Sequence, residues 1–220
     1  MTAAWSPEEI ARNVARDIPA GSCVNLGIGM PTLVAREIST GSGIVLTSEN
    51  GLIGIGPPPE PGADDRDTVD AGKNPVTLIP GAAVVHHADS FALIRGGRLD
   101  VAVLGAFEVD EHGNLASWRR PNERLGSVGG AMDIAVGART KFVMMTHLDR
   151  SGHRKVVRDC TFPLTAAACV NRIYTDLAVI DVSSEGLVVR SIHPSLSFAE
   201  LQQVTDARLH ERGVGEPAPR

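Results

Sequence analysis

The sequence predicts an α/β fold with a mostly parallel sheet flanked by helices. Three observations predict it. Short apolar runs, such as Ile44-Val45-Leu46 and Leu99-Asp100-Val101-Ala102-Val103-Leu104, alternate with segments of helical period over most of the chain. Glycine (23) and proline (14) are plentiful and punctuate those runs as turn formers. With 43% apolar residues, the 220-residue chain suits one domain spanning 1–220 and can bury a sizeable core.

The first helix starts at Ser6-Pro7-Glu8-Glu9. Ser6 is the N-cap, Pro7 takes the first helical position and Glu9 closes a capping box. Ile10, Val14 and Ile18 recur four apart and give it one apolar face. Pro19 and Gly21 end it. A strand over 22–26 follows, then a tight turn at Gly27-Ile28-Gly29, then a helix opened by Pro31 and running to Ile38. A buried strand over 44–46 carries Ser48-Glu49-Asn50-Gly51 at its C-terminal end, and Gly51-Leu52-Ile53-Gly54-Ile55-Gly56 reads as a glycine-lined turn. The stretch 57–67, rich in Pro and Asp, is a rigid polar loop. A strand is expected over 75–79. Asp89 is the expected cap of a helix over 90–94, which Gly96-Gly97 ends. Another buried strand covers 99–104, and Gly113-Asn114 makes a turn. The runs 141–146 and 177–182 are β-rich, and Ser184-Glu185-Gly186 forms a hairpin into 187–189. Ser197 caps a last helix, Glu200 closes its box, and Phe198, Leu201 and Val204 face inward. The stretch 213–220 is a flexible tail.

Composition narrows the function. A net charge of −5 gives nucleic-acid binding no electrostatic support. No apolar run is long enough to cross a bilayer. The N-terminus lacks a basic segment followed by an apolar one, so no signal peptide is expected. The cysteines are Cys23, Cys160 and Cys169, an odd count without metal-ligand spacing. A reduced, cytoplasmic setting is the expectation.

The chemistry centres on Glu49. Glutamate is seldom buried unless paired, and taking its charge out of water is costly. An acidic side chain at the mouth of an apolar, glycine-lined turn is better explained as a reagent than as a brace. In open α/β sheets, ligands bind beyond the carboxyl ends of strands, where Glu49 stands. Asn25-Leu26-Gly27-Ile28-Gly29-Met30-Pro31 is either a strand-to-helix turn with unusual dihedrals or a backbone surface for an acyl or phosphate group. Gly129-Gly130 is a flexible turn or a place where backbone N–H groups approach an oxyanion. His86-His87 and Asp89 hint at a metal, but adjacent histidines do not share one ion in regular structure and no matching Cys/His pair follows; no metal is expected. Cys160 and Cys169 read as small buried residues in apolar surroundings. Arg119, Arg120 and Arg124 are either a solvated surface or a contact for an acidic substrate or partner.

Together these segments resemble the β subunit of family I coenzyme A transferases, the 3-oxoacid group. The resemblance runs collinearly through 25–31, Ser48-Glu49-Asn50-Gly51, Asp70-Ala71-Gly72-Lys73, Ser90-Phe91-Ala92, Ile94-Arg95-Gly96-Gly97, Gly113-Asn114-Leu115-Ala116, Gly129-Gly130-Ala131-Met132-Asp133, 160–165 and 175–179. Departures exist. Asn114 stands where the family has Asp, Ser117 where it has Asn and Ala166 where Gly is usual, and Arg119-Arg120-Pro121-Asn122-Glu123-Arg124 replaces a lysine-rich segment. The resemblance implies the β-subunit fold and transfer of CoA from an acyl-CoA, expected to be succinyl-CoA, to 3-oxoadipate or acetoacetate. It implies Glu49 as covalent nucleophile, Gly130 as oxyanion donor, and Asn25, Gly27, Gly29, Asn50, Gly51, Lys73 and Gly129 as substrate- or CoA-binding residues. CoA is then a cosubstrate and no other cofactor is needed. A homologous α subunit, in an α₂β₂ assembly, is the implied partner. Three rivals stay open: a CoA-thioester hydrolase using the same glutamate, a sugar-phosphate isomerase with Glu49 as general base, and a catalytically silent regulatory subunit.

Overall fold

The structure is a computed structural model and describes residues 4–39, 41–121 and 123–211. The expected tail at 213–220 lies outside the described residues.

Helix α1, Pro7–Asp17, carries the expected capping box: the Ser6 hydroxyl accepts from the Glu9 N–H and the Glu9 carboxylate from the Ser6 N–H. Strand β1 (Cys23–Leu26) is followed by Met30–Arg36, which winds as a 3₁₀ helix rather than an α-helix. Its cap, Gly29, supplies no side chain, and the Thr32 hydroxyl takes the Gly29 carbonyl at 2.7 Å, competing with α-helical bonding. Then come β2 (Val45–Ser48), β3 (Leu52–Ile55) and β4 (Leu78–Val84). The glycine-rich stretch expected as a turn is therefore largely strand β3, with the turn tightened onto 49–51. Strand β4 starts three residues later than the expected 75–79, shares only 78–79 with it and runs on to Val84, and as an edge strand it tolerates Pro80.

Helix α2 is His87–Arg95, and its cap is His86 rather than Asp89. The His86 Nδ1 accepts from the Ala88 N–H at 3.1 Å, so the helix starts early and Asp89 falls in its first turn, a favourable place for a negative charge. The remaining elements are β5 (Val101–Leu104), β6 (Glu108–Asp110), β7 (Leu115–Ala116), α3 (Ala131–Gly137), β8 (Thr140–Met144), β9 (Val156–Val157), β10 (Arg172–Tyr174), β11 (Ala178–Ser183), β12 (Gly186–Ile192), α4 (Phe198–Gln203) and β13 (Leu209–Glu211). Helix α4 has the expected Ser197–Glu200 box.

The large sheet has the order β13-β12-β11-β10-β8-β5-β1-β2-β3-β4. Its middle, from β10 to β2, is parallel; β10-β11-β12 on one side and β2-β3-β4 on the other are antiparallel, and β13 joins β12 in parallel at the edge. Alternate residues feed two cores. On one face Val24, Val101, Val103, Phe142 and Met144 pack with Ile10, Val14 and Ile18 of α1. On the other, Ala102, Leu104 and Val143 pack with Ile94 of α2, Ile134 of α3 and Leu201 of α4. A small sheet, β7-β6-β9, joins the second core through Leu115, Val109 and Val156. Among the described residues, no helix is long and apolar enough to cross a membrane.

Candidate active site

The parallel pair β1 and β2 builds the site. Their register sets Asn25 beside Thr47 near both carboxyl ends. The chain then leaves β2 at Ser48, and Glu49 opens the turn into β3. Asn25 is fully buried. Its Nδ2 donates to the Glu49 carboxylate at 3.1 Å and to the Thr47 carbonyl at 3.3 Å, while its Oδ1 is buried with no hydrogen-bond partner. Glu49 itself is half-buried. Among the described residues no cation lies within ion-pairing distance of it.

Side chains pin the backbone of this turn from two directions. The Ser90 hydroxyl, at the start of α2 and 5% exposed, donates to the Glu49 carbonyl at 2.5 Å. On the other side Ser48 Oγ accepts from the Ala71 N–H at 2.9 Å and Asn50 Nδ2 donates to the Val69 carbonyl at 2.7 Å. Gly51 makes the turn possible. Its φ is +116°, and a Cβ there would stand 2.3 Å from the Val85 carbonyl oxygen, so only glycine fits.

The other expected site residues fall around this turn. Lys73 is exposed, in the 70–74 turn that Ser48 and Asn50 tie to Glu49, and holds a left-handed φ of 63°. Gly130 caps α3 and packs under Phe91, the neighbour of Ser90; a Cβ on it would meet the ring at 2.9 Å. Among the described residues, nothing takes up the Gly130 N–H. Gly129 is exposed beside it. Gly27 ends β1 with its N–H on the Val103 carbonyl at 2.8 Å, and Gly29 caps the 3₁₀ helix. Of these, Asn25 alone hydrogen-bonds the Glu49 carboxylate; the Lys73 segment is joined to its turn through Ser48–Ala71 and Asn50–Val69, and Gly130 through Phe91 and its neighbour Ser90. The residue that sequence reasoning passed over is Ser90. It lies 41 positions from Glu49, and no local pattern links the two.

Two cavities flank β2, of 380 and 190 Å³, and both are lined by Thr47 and Ser48. Asp70 and Asn74 line the first and Ser90 the second; Glu49 lines neither. The hydrogen-bonded turn defines the site better than either cavity. The histidine pair has other duties: His86 caps α2 and the His87 ring packs 4.9 Å from Phe91. Among the described residues, no group of three or more His, Cys, Asp or Glu side chains is placed to hold a metal. All three cysteines are free thiols. Cys160 is not in the apolar surroundings expected of it. Burial first, then the charges of Asp110 and Glu108, push its thiol far above the ordinary range, which leaves it inert.

Comparison with known proteins identifies the family. The chain is 53% identical over 210 residues to a subunit of the 3-oxoadipate CoA-transferase of Pseudomonas putida, covering 95% of this chain and 98% of that one. It is 42% identical over 205 residues to a subunit of the succinyl-CoA:3-ketoacid coenzyme A transferase of Helicobacter pylori, covering 93% and 99%. Among solved structures, the acyl-CoA transferase YdiF of Escherichia coli O157:H7 shares the fold with a TM-score of 0.75 at 21% identity. That match covers 94% of this chain and 42% of the longer one, so this chain spans about two fifths of it. The family profile described as Coenzyme A transferase matches residues 8–203. A parallel sheet presenting a glutamate turn, and half or near-half identity to CoA-transferase subunits over almost the whole length, place this chain in the Coenzyme A transferase family.

Proposed function

We propose that this chain is the subunit carrying the covalent nucleophile of a 3-oxoacid CoA-transferase, and that Glu49 is that nucleophile. The observation that carries the reading is the state of Glu49. It is a half-buried carboxylate, held by one amide and free of any counter-ion among the described residues. A carboxylate needs no base to be ionised at neutral pH.

The Glu49 carboxylate attacks the carbonyl of the acyl-CoA, and the C–S bond breaks to release CoA thiolate. The thiolate attacks the Glu49 carbonyl of the resulting mixed anhydride and expels the first acid as carboxylate. Glu49 now carries CoA as a thioester. The second acid's carboxylate attacks that thioester, thiolate leaves, and thiolate then takes the acceptor's acyl group and restores Glu49. Every bond broken is matched by one formed, and one thioester is exchanged for another in a ping-pong cycle. Asn25 Nδ2 orients the carboxylate. The Gly130 N–H faces the oxyanion formed at each attack. Asn25, Gly27, Gly29, Asn50, Gly51, Lys73 and Gly129 surround the CoA thioester arm. Succinyl-CoA as donor and 3-oxoadipate or acetoacetate as acceptor follow from the relatives' names. Those relatives are each one subunit of a larger enzyme, which supports a homologous partner in an α₂β₂ complex.

A sugar-phosphate isomerase would need cations beside Glu49, and none stands within ion-pairing distance among the described residues. The test is isotope exchange between labelled succinate and succinyl-CoA in the purified two-subunit complex. Wild type exchanges label, and Glu49→Ala loses about 10⁴-fold or more. Net release of free CoA in place of exchange would make the protein a hydrolase.

A further inference from the structure

Away from Glu49, three cations without an ion-pair partner among the described residues lie in the chain flanking one end of the small sheet. Strand β7 runs antiparallel to β6 and β9 runs parallel to it. The chain leaving β7 and the chains entering β6 and β9 therefore meet at one end of the small sheet. There Phe107 leads into β6, Lys155 leads into β9, and Trp118-Arg119-Arg120 follows β7. The Arg120 guanidinium lies over the Phe107 ring at 4.8 Å and that of Arg119 over Trp118 at 5.2 Å. Trp118 is fixed by its Nε1–H on the Leu164 carbonyl at 3.1 Å.

Some arginines of this chain, such as Arg95, Arg139 and Arg172, sit on carboxylates, while others, such as Arg16, Arg36 and Arg98, have none within ion-pairing distance among the described residues. Among the described residues, no carboxylate lies within ion-pairing distance of Arg119, Arg120 or Lys155. The Arg119 Nε–H is buried and has no hydrogen-bond partner. A buried charged donor is costly to leave unpaired, which favours an acceptor at this position. Lys155 is half-buried. Burial, then repulsion from Arg120, pull its ammonium down to about 8, although Asp149 and Asp176 stand near enough to oppose this. Those two carboxylates are engaged elsewhere, Asp149 with Ser151 and His153 and Asp176 with the His147 N–H.

We infer that Arg119, Arg120 and Lys155 form an oxyanion site for a charged group carried by a substrate, either the second carboxylate of a dicarboxylic acid or a phosphate of CoA. Arg120 stands near enough to Lys155 to repel its charge, and guanidinium forks beside an ammonium suit a compact anion with several acceptor oxygens. The segment is also joined to the catalytic turn. The Ser127 N–H closes on the Trp118 carbonyl at 2.9 Å, and the chain runs directly on to Gly129 and Gly130. The inference rests on the CoA-transfer reading for the identity of the ligand, but its test does not need turnover.

The test is calorimetric titration of the two-subunit complex with four probes: adipate against hexanoate, and CoA against pantetheine. The first pair differs by a terminal carboxylate, and the second by the phosphates together with the adenosine that they carry. Arg120→Gln, Lys155→Gln and Arg119→Gln are compared with wild type, with complex size and melting temperature checked for each. The expected result is a tenfold or greater rise in Kd for adipate alone if the site holds a carboxylate, or for CoA alone if it holds phosphate. Affinities unchanged for all four probes would overturn the inference. So would a complex that falls apart, which would make the cluster a contact between subunits. Label exchange in the same preparations judges the transfer reading separately.

Discussion

Glu49 and Glu108 are the same residue type put to opposite uses. Glu108, in β6, is fully buried. Its carboxylate accepts from the Thr161 N–H at 2.6 Å, the Thr161 hydroxyl at 2.8 Å and the Phe162 N–H at 3.0 Å, and His153 Nε2 lies 2.9 Å away. A carboxylate has about four good acceptor sites, and here all are taken. Glu108 is a brace that folds the 161–165 loop over the small sheet. Glu49 is only half-buried and, among the described residues, has one hydrogen-bond partner on its carboxylate, Asn25, although its backbone is held by Ser90 and its neighbours by the 69–71 segment. The difference fits the role proposed for Glu49: a fixed main chain and a lightly engaged side chain.

The sharpest way to break the comparison is to remove each carboxylate and measure stability. Glu108→Ala leaves several buried donors unpaired and should lower unfolding free energy by about 3–5 kcal/mol in urea titrations. Glu49→Ala should shift it by less than about 0.5 kcal/mol, because little of the fold leans on that side chain. Equal losses would mean that Glu49 is structural too.

The next effect concerns pH. His147 packs beside the small sheet, fully buried between Thr175 Oγ1 at 3.0 Å and Thr205 Oγ1 at 2.9 Å. Burial, with help from the charge of Lys155, pulls its imidazole from 6.5 down to about 4. Between those values the unfolded chain binds the proton and the folded one does not, so stability rises with pH across this window and drains away as pH falls through it. On the order of 3 kcal/mol should be lost this way between pH 7 and pH 4. His147→Gln should flatten that slope in urea midpoints measured across the window. An unchanged slope would show that His147 protonates freely in the folded state.

Ser90 gives the smallest effect and the finest discrimination. Losing one neutral hydrogen bond on the Glu49 carbonyl should lower kcat about 3- to 10-fold in Ser90→Ala, with KM near wild type. Ser90→Thr, which keeps the hydroxyl, should recover most of it. A change confined to KM would place Ser90 in binding rather than in positioning.

Much of this was legible in the chain itself, for physical reasons that differ by element. The two capping boxes are local chemistry, with donor and acceptor three residues apart, and both formed as read. The runs around 99–104, 141–146 and 177–182 are apolar because the sheet is covered on both faces, and each became a strand. Glu49 stood out because a charge among apolar residues and glycines needs a reason. Other features had no local signal. Strands β6, β7 and β9 span two or three residues each and exist only because they pair with one another. The 3₁₀ helix at 30–36 and the His86 cap turned on single side chains, Thr32 and His86, winning a backbone group. The contact of Ser90 with Glu49 depends on how α2 packs against β2, which no pattern in either segment encodes.

The most direct test of the central claim is chemical trapping. The two-subunit complex is incubated with succinyl-CoA and then reduced with borohydride, and the peptides are read by mass spectrometry. The peptide containing Glu49 should carry its side-chain carboxylate as the alcohol, only when acyl-CoA was present. An unmodified Glu49 peptide in a complex that exchanges label at the normal rate would contradict the account.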